Sequence, residues 1–201
     1  MSNSSAIVDH LRNGRGEVSK ETIASVYCEY KQQEAQTPQN LLAGIWRELV
    51  QSLRTLPEEA RGLYKKHELA GTKPSEKEVL GLLKHEMVKS KVVWILVDAI
   101  DECPVKVQRT FVESLQNLLS EPTLEKTLIR LLITSRLSES PFPEAEKIEI
   151  WATEEDITLY VRRRIVAGVS PSSHTISTFI QEDKALQEEL VTGIAEKARG
   201  M

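Results

Sequence analysis

The sequence predicts an α/β fold, a parallel sheet with covering helices that gives way near Trp151 to a small helical region. Three observations predict it. Short β-rich runs alternate with amphipathic helical stretches as far as Trp151, the pattern of a parallel sheet wrapped by helices. Lys91 to Val97, KVVWILV, is continuously apolar and rich in β-branched residues, as expected of a strand covered on both faces. From Thr153 onward the periodicity is purely helical.

The elements follow in order. Ala6 to Leu11 reads as the tail of a helix stopped by the Asn13-Gly14-Arg15-Gly16 turn. Thr22 to Tyr30 is β-rich and predicts a strand, with Cys28 as a small core residue. From Pro38 the apolar spacing Leu42, Ile45, Leu49, Leu53 predicts a helix. Ser75, three residues before Glu78, predicts a capping box opening a helix with Val79, Leu82, Leu83 and Met87 on one face. After the Lys91–Val97 strand, Pro104 suits the first turn of a helix bearing Val107, Phe111, Leu115 and Leu118. Ile129 to Thr134 predicts another buried strand, and the alternation in Glu146 to Trp151 predicts a shorter one, with Ile148 and Ile150 on its apolar side. One further helix carries Ile157, Tyr160, Val161 and Ile165. A second, beyond a Ser-rich loop near Pro171, carries Leu186, Leu190 and Ile194. Trp46, Trp94 and Trp151 fall in apolar patterns and read as core. The division this implies is residues 1–151 as α/β and 152–201 as helical.

Composition narrows the class without naming a function. With 201 residues, 40% hydrophobic and 28% charged, the chain can bury a real core. A net charge of −4 gives no reason to expect nucleic acid or an anionic membrane as partner. Arg162-Arg163-Arg164 reads as the solvated face of a helix. No run approaches the roughly 18 apolar residues of a membrane span, and the N-terminus lacks the pattern of a signal peptide. Two cysteines suggest no disulfide framework, so a cytoplasmic location is expected. The four histidines, His10, His67, His85 and His174, show no metal-ligand spacing.

The chemically informative stretch is the end of the apolar strand, Asp98-Ala99-Ile100-Asp101-Glu102. Ligands of open parallel sheets bind outside the carboxyl ends of the strands. Carboxylates grouped there repel one another unless a cation sits among them. In phosphoryl-transfer sites that cation is Mg²⁺, held by an Asp at such a strand end, while a second carboxylate can orient or deprotonate water. The plainer reading is that Asp101 or Glu102 caps the next helix. The neighbouring strand ends in Thr134-Ser135-Arg136, which places a guanidinium at the same edge. It can contact a terminal phosphate or form a surface ion pair with a nearby carboxylate.

Together these motifs carry a resemblance. VVWILVDAIDEC looks like the Walker B strand of NACHT domains, within the STAND class of P-loop NTPases, and LLITSR looks like that family's sensor strand. The likeness is to fungal forms of the nephrocystin-3-like N-terminal type. Gln36 to Val50 resembles the helix after their second strand, Glu154 to Ile165 the start of their small helical region, and IAEKARGM the beginning of their next helix. The resemblance implies an incomplete three-layer P-loop NTPase-like parallel sheet followed by a small helical region. It implies ATP or GTP with Mg²⁺ as cofactor in the complete family member. Asp98 becomes the Mg²⁺-associated acid, Asp101 and Glu102 the candidates for positioning hydrolytic water, and Arg136 the sensor of the terminal phosphate. It further implies signal transduction by a nucleotide-regulated switch, with protein partners or self-assembly, an effector domain before the core and ankyrin or WD40 repeats after it.

The sequence departs from that pattern in one essential respect. A P-loop needs G-x-x-x-x-G-K-[ST], whose backbone N–H groups and lysine hold phosphate, and no such pattern occurs in the 201 residues. Relatives carry it just before the helix that Ala6 to Leu11 resembles, where Met1 to Ser5 stands here. The expectation is therefore a fragment unable to bind ATP well, from a gene-model error or gene decay. The strand missing from the middle of the sheet would leave Ile129–Ile133 and Glu146–Trp151 with open edges and the chain prone to aggregate. A non-enzymatic interaction module with a degenerate NTPase fold is the alternative. An unrelated metal-dependent hydrolase would need ligands that the sequence does not offer.

Overall fold

The computed structural model describes residues 3–13, 21–51, 53, 55–136, 142, 145–167 and 183–197. The chain divides into two compact units, Met1–Pro143 and Glu144–Met201.

In the first unit the elements run α1 (Asn3–Asn13), β1 (Glu21–Tyr27), α2 (Pro38–Val50), α3 (Glu58–Ala70), α4 (Glu76–Met87), β2 (Val92–Asp98), α5 (Val105–Leu119) and β3 (Leu128–Ile133). The three strands form one parallel sheet in the order β1-β2-β3. Tyr27 lies opposite Asp98 and Val97 opposite Ile133, so the carboxyl ends of all three strands meet at one edge.

Side-chain alternation gives the sheet two unlike faces. Ala24 and Val26, Val93, Ile95 and Val97, and Ile129, Leu131 and Ile133 pack with α2, α4 and α5 around Leu42, Ile45, Leu83, Phe111 and Leu115. Those five helix residues are essentially closed to solvent. On the other face Ile23, Trp94, Leu96 and Leu132 meet Val8 and Leu11 of α1, while the Arg130 guanidinium lies 4.9 Å from the centre of the Trp94 ring.

The helix starts are set locally. Thr37 caps α2 by accepting from the Asn40 amide, with Pro38 in the first turn. Ser75 and Glu78 form the expected reciprocal capping box of α4. Pro104 stands one residue earlier than expected, capping α5 rather than opening it. Helix α3 ends at Gly71, whose φ of 62° is the left-handed C-terminal geometry that glycine adopts without strain.

In the second unit α6 (Glu154–Ala167) and α7 (Lys184–Lys197) pack as a pair. Thr153 accepts from the Asp156 amide, and Asp156 accepts in return from the Thr153 amide and hydroxyl, which fixes the start of α6. Among the described side chains Val161, Val191 and Ala195 are the buried ones of this pair, so the seam of α7 lies one step round from the expected Leu186-Leu190-Ile194 stripe. Arg162 donates to both carboxylate oxygens of Glu188 at 2.9 Å. The Ser-rich loop near Pro171 and the Gly14–Gly16 turn lie outside the described residues, as does the side chain of Ile165.

Two expectations are corrected. Residues 146–151 form no strand: Ile148 and Ile150 are 73% and 71% exposed, and Trp151, expected in the core, is 63% exposed. Alternation describes a segment able to pair, but a strand exists only against a partner, and none of the three described strands pairs with it. Leu53, expected on the stripe of α2, lies beyond the helix end and is exposed. Helix α3, by contrast, was not expected at all.

Candidate functional site

The carboxyl edge of the sheet gathers the predicted residues. Asp98 is the last residue of β2, where its backbone carbonyl accepts from the Cys28 amide at 2.9 Å. Beyond it Ala99 adopts φ 54° and ψ 49°, left-handed geometry that is strained for alanine. This reversal turns Ile100–Glu102 into a single 3₁₀ turn, closed by the Glu102 amide donating to the Ala99 carbonyl. Ile100 is buried and anchors the turn, while Asp98, Asp101 and Glu102 are half-buried.

Thr134, the residue after β3, ties the turn to the sheet. Its hydroxyl donates to Asp98 Oδ1 at 2.6 Å and accepts from the Ala99 amide at 2.9 Å. Its backbone amide donates to the Val97 carbonyl, and its carbonyl accepts from the Ile100 amide. Four bonds at one residue thus hold the Asp98 carboxylate and the strained reversal in register.

Arg136 lies over the acids. Its Nε donates to Asp101 Oδ2 at 2.6 Å, its amide to Asp101 Oδ1 at 3.3 Å, and its Nη2 stands 3.7 Å from Glu102 Oε1. The Asp101 side chain is only 7% exposed, whereas that of Arg136 is 79% exposed, so the guanidinium forms the solvent-facing cover of the pair. Asp101 holds the Arg136 cation more firmly charged than usual, with Glu102 adding to the field.

The third wall is the segment after β1. Glu102 Oε2 accepts from the Tyr30 amide at 2.8 Å, and its carbonyl accepts from Gln33 Nε2 at 2.8 Å. Gln36, buried at 7% exposure, accepts from the Glu29 amide and from the Cys103 thiol. Cys28 and Cys103 are both buried, and burial, followed by a mutual hydrogen bond, pushes the Cys28 thiol far above its ordinary range. Burial likewise raises Cys103. Both shifts disfavour the thiolate, which is the reactive form.

The structure therefore brings Asp101, Glu102 and Arg136 into mutual contact and places Asp98 beside them through Thr134. It does not converge the acids: among the described residues no three Asp, Glu, His or Cys side chains surround one point. A Mg²⁺ ion bound with a nucleotide takes only one or two protein carboxylates and fills its shell with water and phosphate oxygens, so Asp98 fits that role. Phosphate is served less well, since the guanidinium of Arg136 is already occupied by Asp101. The roles of Thr134, Gln36 and the Tyr30 amide were not anticipated. Thr134 was visible in the T-S-R motif, whereas nothing in sequence ties Gln36 to this edge.

Ligands of open parallel α/β sheets bind outside the carboxyl ends of the strands, and the carboxylates that follow the central strand lie at that edge here. The family follows from comparison: the model described as Nephrocystin 3, N-terminal, matches residues 3–136, so the chain belongs to that family. The match takes in all three strands and ends on Arg136. Comparison with curated proteins and with solved structures gave no match.

Proposed function

We propose that the chain supplies the acid-and-arginine half of a NACHT-type, nucleotide-regulated signalling switch of the STAND class. Asp98 is the carboxylate for nucleotide-bound Mg²⁺, Asp101 or Glu102 positions water, and Arg136 answers the terminal phosphate. The observation that carries this reading is the joining of the β2 acids to Arg136 at one sheet edge, inside the span of the family match. When bound, Mg²⁺ neutralises phosphate charge. This chain's own residues hold the acids rigidly through Thr134 and keep the guanidinium poised above them. With no G-x-x-x-x-G-K-[ST] pattern in its 201 residues, the chain alone binds nucleotide weakly, and self-assembly or protein partners are the expected output.

A second reading, a non-enzymatic interaction module that keeps the fold, is favoured by one specific observation. Asp101 and Glu102 already have internal partners in Arg136 and the Tyr30 amide. Calorimetric titration of the full chain with ATP and ADP in the presence of Mg²⁺, with Asp98→Ala as control, separates the two. Weak binding on the order of millimolar that Asp98→Ala weakens further supports the switch. No heat at millimolar nucleotide supports the interaction module. Micromolar binding that survives Asp98→Ala overturns the assignment of this edge.

A further inference from the structure

Of the two edge strands, β3 is the less covered. Strand β1 buries three of its seven residues, whereas β3 buries none of its six, and Leu128 and Arg130 are exposed. Ile129, Leu131 and Ile133 reach the core only as partly buried neighbours. The outer side of β3 has no strand partner among the described residues. It therefore presents backbone N–H and C=O groups as a template for a further strand.

A strand that fits this edge lies in the same chain. Residues 146–151, Glu-Lys-Ile-Glu-Ile-Trp, match β3 in length and alternate apolar with charged side chains. They hold Ile148, Ile150 and Trp151 at 73%, 71% and 63% exposure. Charge selects which edge they suit. Two carboxylates, Glu146 and Glu149, and one ammonium, Lys147, leave the segment at −1. The charged residue of β3 is Arg130, which lies over the Trp94 ring and has no carboxylate partner among the described residues. The charged residue of β1 is Glu21, so the β1 edge would repel the same segment.

The register follows from the side chains. With Glu149 opposite Arg130, Ile148 and Ile150 fall beside Ile129 and Leu131 whichever way the added strand runs, and Trp151 falls beside Leu128 or Leu132. A slip of one residue would set an isoleucine against Arg130 and turn the apolar positions to the wrong face. Glu149 already accepts from Lys147 at 2.7 Å. In a strand these two residues share a face, so Arg130 would join that pair rather than replace it.

We propose that residues 146–151 of a second copy of this chain add as a strand to the outer edge of β3, with Glu149 opposite Arg130. The two surfaces differ, so each copy both offers a strand and accepts one. The inference rests on the open edge and not on the strand-end acids, and its failure would leave the proposed function standing.

Sedimentation of the full chain between about 1 and 200 µM tests this, with reversible association expected at a Kd on the order of 50 µM. The amides of 146–151 should gain protection from hydrogen exchange as concentration rises. Ile148→Lys/Ile150→Lys changes two exposed residues and should weaken association about thirtyfold. Arg130→Glu and Glu149→Arg should each weaken it about fivefold, because like charges then face each other. An equimolar mixture of those two variants should recover the parent affinity within about twofold, since every contact between them joins opposite charges again. Circular dichroism confirms that each variant folds. A monomer at every concentration, association without protection at 146–151, or a mixture no better than its components overturns the proposal. So does association that survives Ile148→Lys/Ile150→Lys, which would assign it to two β3 edges pairing with each other.

Discussion

The hydroxyl of Thr134 is the point at which the acidic turn depends most on one atom, and Thr134→Val removes that atom while keeping the branched shape suited to the end of a strand. Two bonds are lost. The one to Asp98, at 2.6 Å, is charge-assisted and contributes about 1.5–3 kcal/mol. The one from the Ala99 amide, at 2.9 Å, contributes about 0.5–1.5 kcal/mol. Asp98 is half-buried, so water recovers part of the first, and the expected loss of stability is about 2–3 kcal/mol. Thr134→Ser keeps the hydroxyl and should cost about 1 kcal/mol or less, mainly for the methyl group. Urea unfolding followed by both circular dichroism and tryptophan emission measures the difference, because coincident transitions verify that one cooperative unit is observed. Adding Asp98→Asn completes a double-mutant cycle, in which a coupling of about 1 kcal/mol or more is expected between the two positions. A valine variant within about 0.5 kcal/mol of the parent, or a serine variant as damaging as valine, would refute the view that this hydroxyl holds the turn.

Gly81 lies inside α4, and a Cβ there would meet nothing within 4 Å, so Gly81→Ala should raise stability by about 0.5–1 kcal/mol in the same assay. Lys66 first, then the Ser75 amide and hydroxyl, hold the Glu78 carboxyl well below the usual carboxylate range. A depressed folded pKa gives stability that is present above the unfolded value near 4.3 and is lost as pH falls toward the folded one, so the α3–α4 clamp should weaken below about pH 4–5. Glu78→Gln should flatten that acid dependence in thermal melts taken across the window. Leu128, 51% exposed at the start of β3, lies on a strand with no partner on its outer side among the described residues. Leu128→Lys should therefore reduce concentration-dependent association in sedimentation velocity, and an unchanged profile would place any association elsewhere.

How much of this was legible depended on whether the cause was local. Strand β2 was readable because a continuous β-branched apolar run has one stable home, a doubly covered sheet. Strand β3 was readable as a strand but is not the buried one expected: it lies at the edge of the described sheet, Arg130 interrupts it, and none of its residues is buried. The capping box at Ser75 and Glu78 was readable because both partners sit within one helical turn. Glu146–Trp151 misled because its alternation is real but its pairing is not a local property. Helix α3 escaped because none of its residues is fully buried and its apolar side, Ala60, Leu63 and Tyr64, is short. At the site the acids and Arg136 could be named from strand-end position alone. An ion pair of Arg136 with a nearby carboxylate was one of the two readings its position offered, but the choice of Asp101 was not legible, because the two are brought together by the β2–β3 register and by a left-handed alanine that propensity disfavours. Gln36, working from the loop between β1 and α2, left no signal at all.

The geometry of that contact constrains how such a site could respond to a ligand. Arg136 cannot turn toward a phosphate without leaving Asp101, whose carboxylate would then keep only the Arg136 backbone amide among these contacts, at 3.3 Å, in a position 7% exposed. A carboxylate stranded there without a cation is strongly disfavoured. An anion alone therefore competes poorly for the guanidinium, and a cation alone gains little while the guanidinium covers the acids. A ligand carrying both signs exchanges both partners at once: the acids keep a positive neighbour and Arg136 keeps a negative one. Under the proposed reading, Mg²⁺-loaded nucleotide should bind measurably better than nucleotide in EDTA. Arg136→Ala should shrink that difference, because the acids are then uncovered from the start. Equal affinity with and without the metal would mean that the acid–arginine pair is a structural bridge.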